Sequence, residues 1–232
     1  MFARILTSGL IAGAVTGLIA ALVQLSFVQP VLLHAELYES GQLVHGAVPA
    51  PGTAPDLGPF DWQRNGLTVL FNMLVHAGYG LMLTALMVLA QGRGAPISAR
   101  HGLIWGAAGF VALQLAPAFG LAPEVPGVAA ADIAARAAWW LATTLATGLA
   151  LWLIAFGRGW AAWAPAILLA LAPHLIGAPQ PDAYAGTVPP ELSAEFAGRA
   201  LGAGLMAWLV LGALCGWMWQ REAERVPLGQ PA

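Results

Sequence analysis

The chain has 232 residues, 59% of them hydrophobic and only 9% charged, with a mean hydropathy of +0.74. A soluble domain carries roughly 25% charged residues, so this composition leaves too little polar surface to cover a globule in water, and the solvent must be lipid. The formal net charge is −2 and lysine is absent, which excludes the basic stripe of a nucleic-acid binder and a polybasic clamp on anionic lipid.

Alternating ten-residue strands are absent, so a membrane β-barrel is excluded. Helices remain, because they satisfy every backbone hydrogen bond within the segment. The expected fold is an all-α, polytopic transmembrane helix bundle forming a single integral membrane domain over residues 1–232. A span needs about 20 mostly apolar residues, and six stretches qualify or come close.

The first, Ile5–Val28, follows a lone Arg4. Its apolar run is too long for a signal-peptide core, and no small-residue cleavage site precedes Gln29-Pro30, so it reads as a retained anchor. Gly9, Gly13 and Gly17 form a small-residue ridge on it, suited to close helix packing within the protein or with a partner helix. A long outer loop, residues 29–65, begins with His34-Ala-Glu36-Leu-Tyr38-Glu39. A helix continuing past Pro30 would put residues 34 and 38, or 36 and 39, on shared faces. Gly46 to Pro59 reads as irregular chain.

The second span, Gly66–Ala90, carries His76 about ten residues inside, roughly 15 Å from its outer boundary at 1.5 Å per residue. Asn72 lies one turn earlier on the same face. The third, Ser98–Ala118, ends in Gln114 and Pro117, followed by a rigid turn, Gly120 to Gly127, bearing Glu124. The fourth, Ala130–Phe156, opens with Asp132 and Arg136 at the i,i+4 spacing of an intrahelical ion pair. The fifth, Trp160–Ile176, is short and interrupted by Pro165 and Pro173, the latter just before His174. A second long outer loop, 177–194, leads to the sixth span, Glu195–Trp219, where Glu195 and Arg199 repeat the acid-before-base spacing. Gly102/Gly106, Gly198/Gly202 and Gly212/Gly216 repeat the small-residue spacing.

Charge distribution orients these spans. With six spans and both termini cytoplasmic, Arg4, Arg93, Arg100, Arg158, Arg221 and Arg225 fall inside. Glu36, Glu39, Asp56, Asp61, Glu124, Asp132, Asp182, Glu191 and Glu195 fall outside, where only Arg64, Arg136 and Arg199 join them, while only Glu222 and Glu224 are acidic and inside, which is the positive-inside bias. A five-span arrangement would move Arg158 or the C-terminal arginines to the acidic side. Trp105, Trp152, Trp160, Trp163, Trp217 and Trp219 collect toward the cytoplasmic ends, as an interfacial belt does. The expected location is the cytoplasmic membrane of a bacterium, with the lipid bilayer as the first partner.

The single cysteine, Cys215, lies deep in an apolar run, so disulfides, thiolate zinc sites and iron–sulfur clusters have no ligand set. No Walker lysine, GxSxG, HExxH or dinucleotide fingerprint is present, and the chain is not expected to be an enzyme. Histidine and carboxylate remain, a set suited to divalent cations such as Co²⁺, Ni²⁺ or Zn²⁺. The metal-ligand candidates are His34, Glu36, His76, His174 and Glu124. His45, in the loop, and His101, on the cytoplasmic rim, read as ordinary surface residues. An ionisable group inside a membrane is a functional hypothesis by default, although a neutral His76 bonded to its surroundings is the plainer alternative. No dense metal signature occurs, and no bound cofactor is expected. Haem ligation by His76 and His174 is a minor alternative.

Gln114-Leu-Ala-Pro117-Ala-Phe-Gly120-Leu-Ala-Pro123-Glu124-Val-Pro126-Gly127 and Pro173-His174-Leu-Ile-Gly177-Ala-Pro179-Gln180-Pro181 resemble the signatures of the CbtA family, predicted cobalt transporter subunits. Ala35-Glu36-Leu-Tyr38-Glu39, and the Arg93/Arg100 loop before Ile104-Trp105-Gly106, are similar to that family too. The resemblance runs over essentially the whole chain. It implies uptake of Co²⁺ for cobalamin synthesis together with CbtB, a small single-span partner bearing histidines. Family members have been described with five spans, where these charges favour six. The expected function is therefore a membrane subunit of a divalent-cation uptake system. Its alternatives are a non-transporting scaffold of a larger complex and a haem- or quinone-binding redox protein.

Overall fold

In the computed structural model, residues 2–46 and 55–225 are described, and residues 47–54 of the Gly/Pro-rich stretch lie outside the described residues, as do the side chains of Ala223, Glu224 and Arg225. Helices cover all six apolar stretches. They are α1 (Phe2–Val23), α2 (Gln29–Glu39), α3 (Trp62–Gln91), α4 (Ala99–Phe110), α5 (Ala116–Ala118), α6 (Ile133–Phe156), α7 (Trp160–Ile176) and α8 (Pro190–Arg225). Among the described residues the only extended pairing is one isolated bridge, so the protein is an all-α membrane bundle.

Among the described residues, four helical stretches are long and apolar enough to cross a membrane: Phe2–Glu39, Trp62–Gln91, Ile133–Phe156 and Pro190–Glu222. Trp160–Ile176 is apolar but shorter, and α4 and α5 make one further helical run over residues 99–118.

Two interruptions have one cause. Proline has no N–H, so an α-helical bond from position 30 or 117 cannot form. In both places a five-residue π turn precedes the proline, Gln24–Val28 before Gln29-Pro30 and Val111–Leu115 before Ala116-Pro117. Each proline then sits in the first turn of the resuming helix, where a missing N–H costs nothing. The first helix therefore continues past Pro30 to Glu39. Ser98 caps α4 by accepting from the His101 amide at 3.3 Å, and Asp132 caps α6 by accepting from the Ala135 amide at 2.9 Å.

The chain forms two compact units. One comprises Met1–Leu22, Trp62–Val111 and Gly204–Ala232. Its core is made by backbone meeting backbone. A β-carbon placed on Gly9 would lie 2.8 Å from the Leu81 Cα, one on Gly17 would lie 2.5 Å from the Met73 Cα, and one on Gly13 would collide with the His76 carbonyl and the Ala77 backbone. The ridge predicted on the first span is thus spent on α3. Gly102 and Gly106 meet α8 at Gly212 and Trp208 in the same manner. Trp208, Leu211 and Cys215 of α8 are fully buried, and the Tyr79 ring stacks on Trp208 with centroids 4.9 Å apart.

One end of this unit gathers charges. Arg4 donates to the Trp219 carbonyl, pairs with Glu222 and lies 3.9 Å over the Trp219 ring, while the Trp219 indole donates to Gln91 at 3.2 Å. Trp219 is only 5% exposed, so it is a packed tie rather than the lipid-belt residue its position suggested. Trp160 and Trp217 are exposed, as belt residues are.

The other unit comprises Val23–Asp61 and Ala112–Ala203. Helices α6 and α7 form a hairpin through Gly157-Arg158-Gly159, where Gly159 at φ +66° makes the turn. The indole of Trp139 donates to the Pro173 carbonyl at 3.3 Å, fixing α7 near its proline.

Gly13→Ala should destabilise the protein by about 1–3 kcal/mol, because the methyl can be housed only by separating two backbones. Gly198→Ala, where nothing lies within 4 Å, should cost nothing measurable. Thermal unfolding of both variants in one detergent checks the contrast.

Candidate cation-intake site

Four of the five candidate ligands, His34, Glu36, Glu124 and His174, belong to the second unit, and His76 belongs to the first. Three segments that the sequence separates widely come together in the second unit. Val31 and Ala35 of α2, Val125 of the turn after α5, and Val188 and Leu192 at the start of α8 form one buried apolar cluster, flanked by Tyr38 and Phe196. Burying these apolar side chains is what draws the polar loops together, because the loops alone have no core.

Backbone bonds then fasten the two loops. Val128 and Gly186 form an antiparallel bridge, the Ala129 amide donates to the Ala185 carbonyl at 2.7 Å, and the Thr187 amide donates to the Gly127 carbonyl at 3.1 Å. Gly127, at φ +80°, also runs so close to Glu39 and Thr187 that a β-carbon would meet both within 3.1 Å. The turn that carries Glu124 is thereby held against the helix that carries His34 and Glu36.

His34 is half-buried, with its ring tilted against Tyr38 at 5.6 Å. His174 is exposed at the end of α7, with Phe119 and Trp139 edge-on at 6.0 and 6.2 Å. Both imidazoles are held by ring packing. Among the described residues no group of three His, Cys, Asp or Glu side chains converges as a preformed metal cage.

His76 lies half-buried on α3, with Nδ1 2.9 Å from the Asn72 carbonyl and its ring edge-on to Tyr79 at 5.9 Å. A carbonyl only accepts, so Nδ1 carries the proton and Nε2 is the nitrogen with a free lone pair. That is the tautomer a metal-binding imidazole adopts when its other nitrogen is anchored. His101 differs: its Nδ1 is 2.8 Å from the Ser98 hydroxyl, within the α4 cap.

The arginines behave differently from the spacing argument in one case. Glu195 and Arg199 do pair within α8 at 2.5 Å, and Arg199 also donates to the Phe27 carbonyl at 2.8 Å in the first π turn. Asp132 and Arg136 do not form the expected pair. Asp132 is occupied as the α6 cap, and Arg136 reaches across the turn to Glu124 at 2.6 Å. An aspartate immediately before an apolar helical run is an N-cap signature, and that signal could have freed Arg136 for another partner.

The Glu124–Arg136 pair lies in the wall of a cavity of about 510 Å³ bounded by the second π turn, the 117–124 turn, α6 and α8. Gln114 lines it too. Its side-chain oxygen is buried without a hydrogen-bond partner, as is Arg136 Nε. Both belong to a wall that is otherwise largely apolar, with Leu121, Ile133 and Trp140 among its members. Sequence reasoning named Gln114 only as a span end.

Among known proteins, residues 2–220 match the family described as probable cobalt transporter subunit (CbtA), so the match covers nearly the whole chain. No curated protein and no solved structure matches it. The chain belongs to the CbtA family of integral membrane transporter subunits.

Because Val128 and Gly186 face each other across an antiparallel bridge, cysteines there fall within disulfide reach. In a Cys215→Ala background, Val128→Cys with Gly186→Cys should cross-link under mild oxidation, and Val128→Cys with Gln180→Cys should do so far less. Electrophoretic mobility with and without reductant reads the result.

Proposed function

We propose that this CbtA-family chain is the membrane-spanning subunit of a divalent-cation, specifically Co²⁺, uptake system. In this reading the chain crosses the cytoplasmic membrane of a bacterium six times, with both termini inside. The cation is captured on the acidic outer face by Glu36, Glu124, His34 and His174, then passed through the helix bundle by way of His76. The observation that carries the reading is the joining of α2, the 120–128 turn and the 186–192 segment around Val31, Ala35, Val125, Val188 and Leu192. That cluster brings three acid-bearing segments into one compact unit.

Separate carboxylates and imidazoles, with no closed cage among the described residues, suit transit better than storage. A conducted ion must be bound firmly enough to enter and loosely enough to leave. Capture by a field of carboxylates raises the local cation concentration, and partial exposure keeps exchange fast. The His76 tautomer supports a ligand role inside the bundle, since Asn72 orients the ring and leaves Nε2 as the donor of a lone pair.

The family description calls the protein a subunit, and a partner follows from it. A small single-span, histidine-bearing CbtB-like chain is the partner this reading names, and cobalamin synthesis is the consumer of the ion. Energy comes from that partner or from an ion gradient, because the sequence carries no nucleotide-binding motif.

Uptake of radiolabelled Co²⁺ by cells expressing the chain with its partner tests the proposal. Replacing His34, His76 and His174 together by alanine should abolish uptake above background. His76→Ala alone should lower the maximal rate more than it raises the half-saturating concentration, because it acts after capture. Wild-type uptake by the triple variant would sink the histidine route. Failure of the wild-type chain and partner to accumulate Co²⁺ would sink the transport reading itself.

A further inference from the structure

The backbone of His76 is held by a helix seam, since a β-carbon on Gly13 would collide with the His76 carbonyl. Its ring is held differently. We infer that Tyr79 is the positioning residue of His76, fixing the plane of the imidazole and so the direction in which Nε2 offers its lone pair, and that Trp208 holds Tyr79 in that role. This rests on the uptake reading, in which His76 is the ligand inside the bundle, and adds to it the residues that aim the ligand.

The hydrogen bond to the Asn72 carbonyl, at 2.9 Å, anchors Nδ1 alone. An imidazole held at one nitrogen can still rock about that bond, and Nε2, on the far side of the ring, moves with it. Tyr79 removes that freedom. It follows His76 by three positions on α3, which makes the two side chains neighbours on the helix surface. Its ring stands at 79° to the imidazole with centroids 5.9 Å apart. Edge-to-face is an arrangement that aromatic quadrupoles favour, so the contact defines an angle as well as a distance. A metal–imidazole bond lies in the plane of the ring, and the groups that orient the ring therefore orient the bond.

Tyr79 would be a poor reference if it could turn. Its ring is stacked on Trp208 with centroids 4.9 Å apart and planes 30° from each other. Trp208 in turn is only 2% exposed. A β-carbon on Gly109 would collide with the Trp208 indole, and one on Gly106 with the Trp208 carbonyl. The indole occupies the slot that these glycines of α4 leave open, where close packing gives it no second position. Rigidity thus passes from the seam of α4 and α8 through Trp208 and Tyr79 to His76, all within the first unit. A ligand supported by a second layer of packed side chains keeps its geometry when the ion arrives and when it leaves.

The test uses the full chain expressed with its partner. Tyr79→Leu should lower the maximal rate of Co²⁺ uptake by about tenfold and leave the half-saturating concentration unchanged. Tyr79→Phe, which keeps the ring, should restore the rate. In a His76→Ala background Tyr79→Leu should cost nothing further, because the residue it aims is gone. A second measurement needs no transport: the nitrogen NMR spectrum of the chain with isotope-labelled histidine, in which the His76 signals are those lost in His76→Ala. The wild-type ring should show one tautomer, with the proton on Nδ1. In Tyr79→Leu the two ring nitrogens should move toward averaged shifts, and in Tyr79→Phe they should not. If Tyr79→Leu does not accumulate in the membrane, Tyr79→Met takes its place and should show the same losses, since its flexible side chain fills the gap without a planar ring.

An unchanged rate with an unchanged tautomer in the variant lacking the ring would overturn the inference. So would a loss in Tyr79→Phe as large as in Tyr79→Leu, which would make the hydroxyl the working part. A loss that persists in full beside His76→Ala would show Tyr79 to be a packing residue only. If the wild-type chain and partner take up no Co²⁺, the uptake reading falls instead, and the histidine spectra still decide whether Tyr79 orients His76.

Discussion

Lipid gives apolar side chains no reason to leave it, so the bundle depends on backbones approaching closely enough for packing to hold them. Gly9, Gly13 and Gly17 let α1 lie directly on α3, and Gly102, Gly106 and Gly212 do the same for α4 and α8. Every other feature of the first unit follows from these seams. The Tyr79–Trp208 stack and the buried Cys215 occupy the space that close approach defines. The Arg4–Trp219–Glu222 tie forms at the end of helices already in register. The His76 carbonyl faces Gly13 so closely that a methyl has no room, which couples the position of the candidate ligand to a close helix contact.

The second unit uses a different solution. Its loops are rich in proline and glycine, and they are fastened by a small apolar cluster and two backbone hydrogen bonds rather than by a helix seam. Prolines that would break a helix in isolation instead select π turns, and the helix recovers because proline at a first turn forfeits nothing. The same residues that interrupt the helices therefore set where the polar side chains of the cavity emerge.

Much of this was legible in the sequence because lipid imposes simple demands. Apolar length located the helices, and glycine spacing located the contact face of α1. The i,i+4 spacing found the Glu195–Arg199 pair because both residues lie in one helix, where spacing alone decides the contact. It failed for Asp132 and Arg136, because the cap took the aspartate and a turn folded Glu124 into reach of the arginine. Which face Gln114 presents was also beyond the reach of a 3.6-residue period, since a π turn changes the period locally. The buried Trp219 escaped for a related reason. Position near a helix end predicts a belt residue, but the Arg4 and Gln91 partners that pull it inward come from other helices.

The placement of arginine connects these two modes of construction. With no lysine in the chain, every fixed cation is a guanidinium, a planar donor able to serve several acceptors at once. Arg4 serves a carboxylate, a backbone carbonyl and an indole face. Arg199 serves a carboxylate and a carbonyl of the first π turn. Arg136 of these three is held by a single carboxylate, and it is the one that lines a cavity. Two arginines are thus locked by several bonds each, as structural ties require, while the third is held through one.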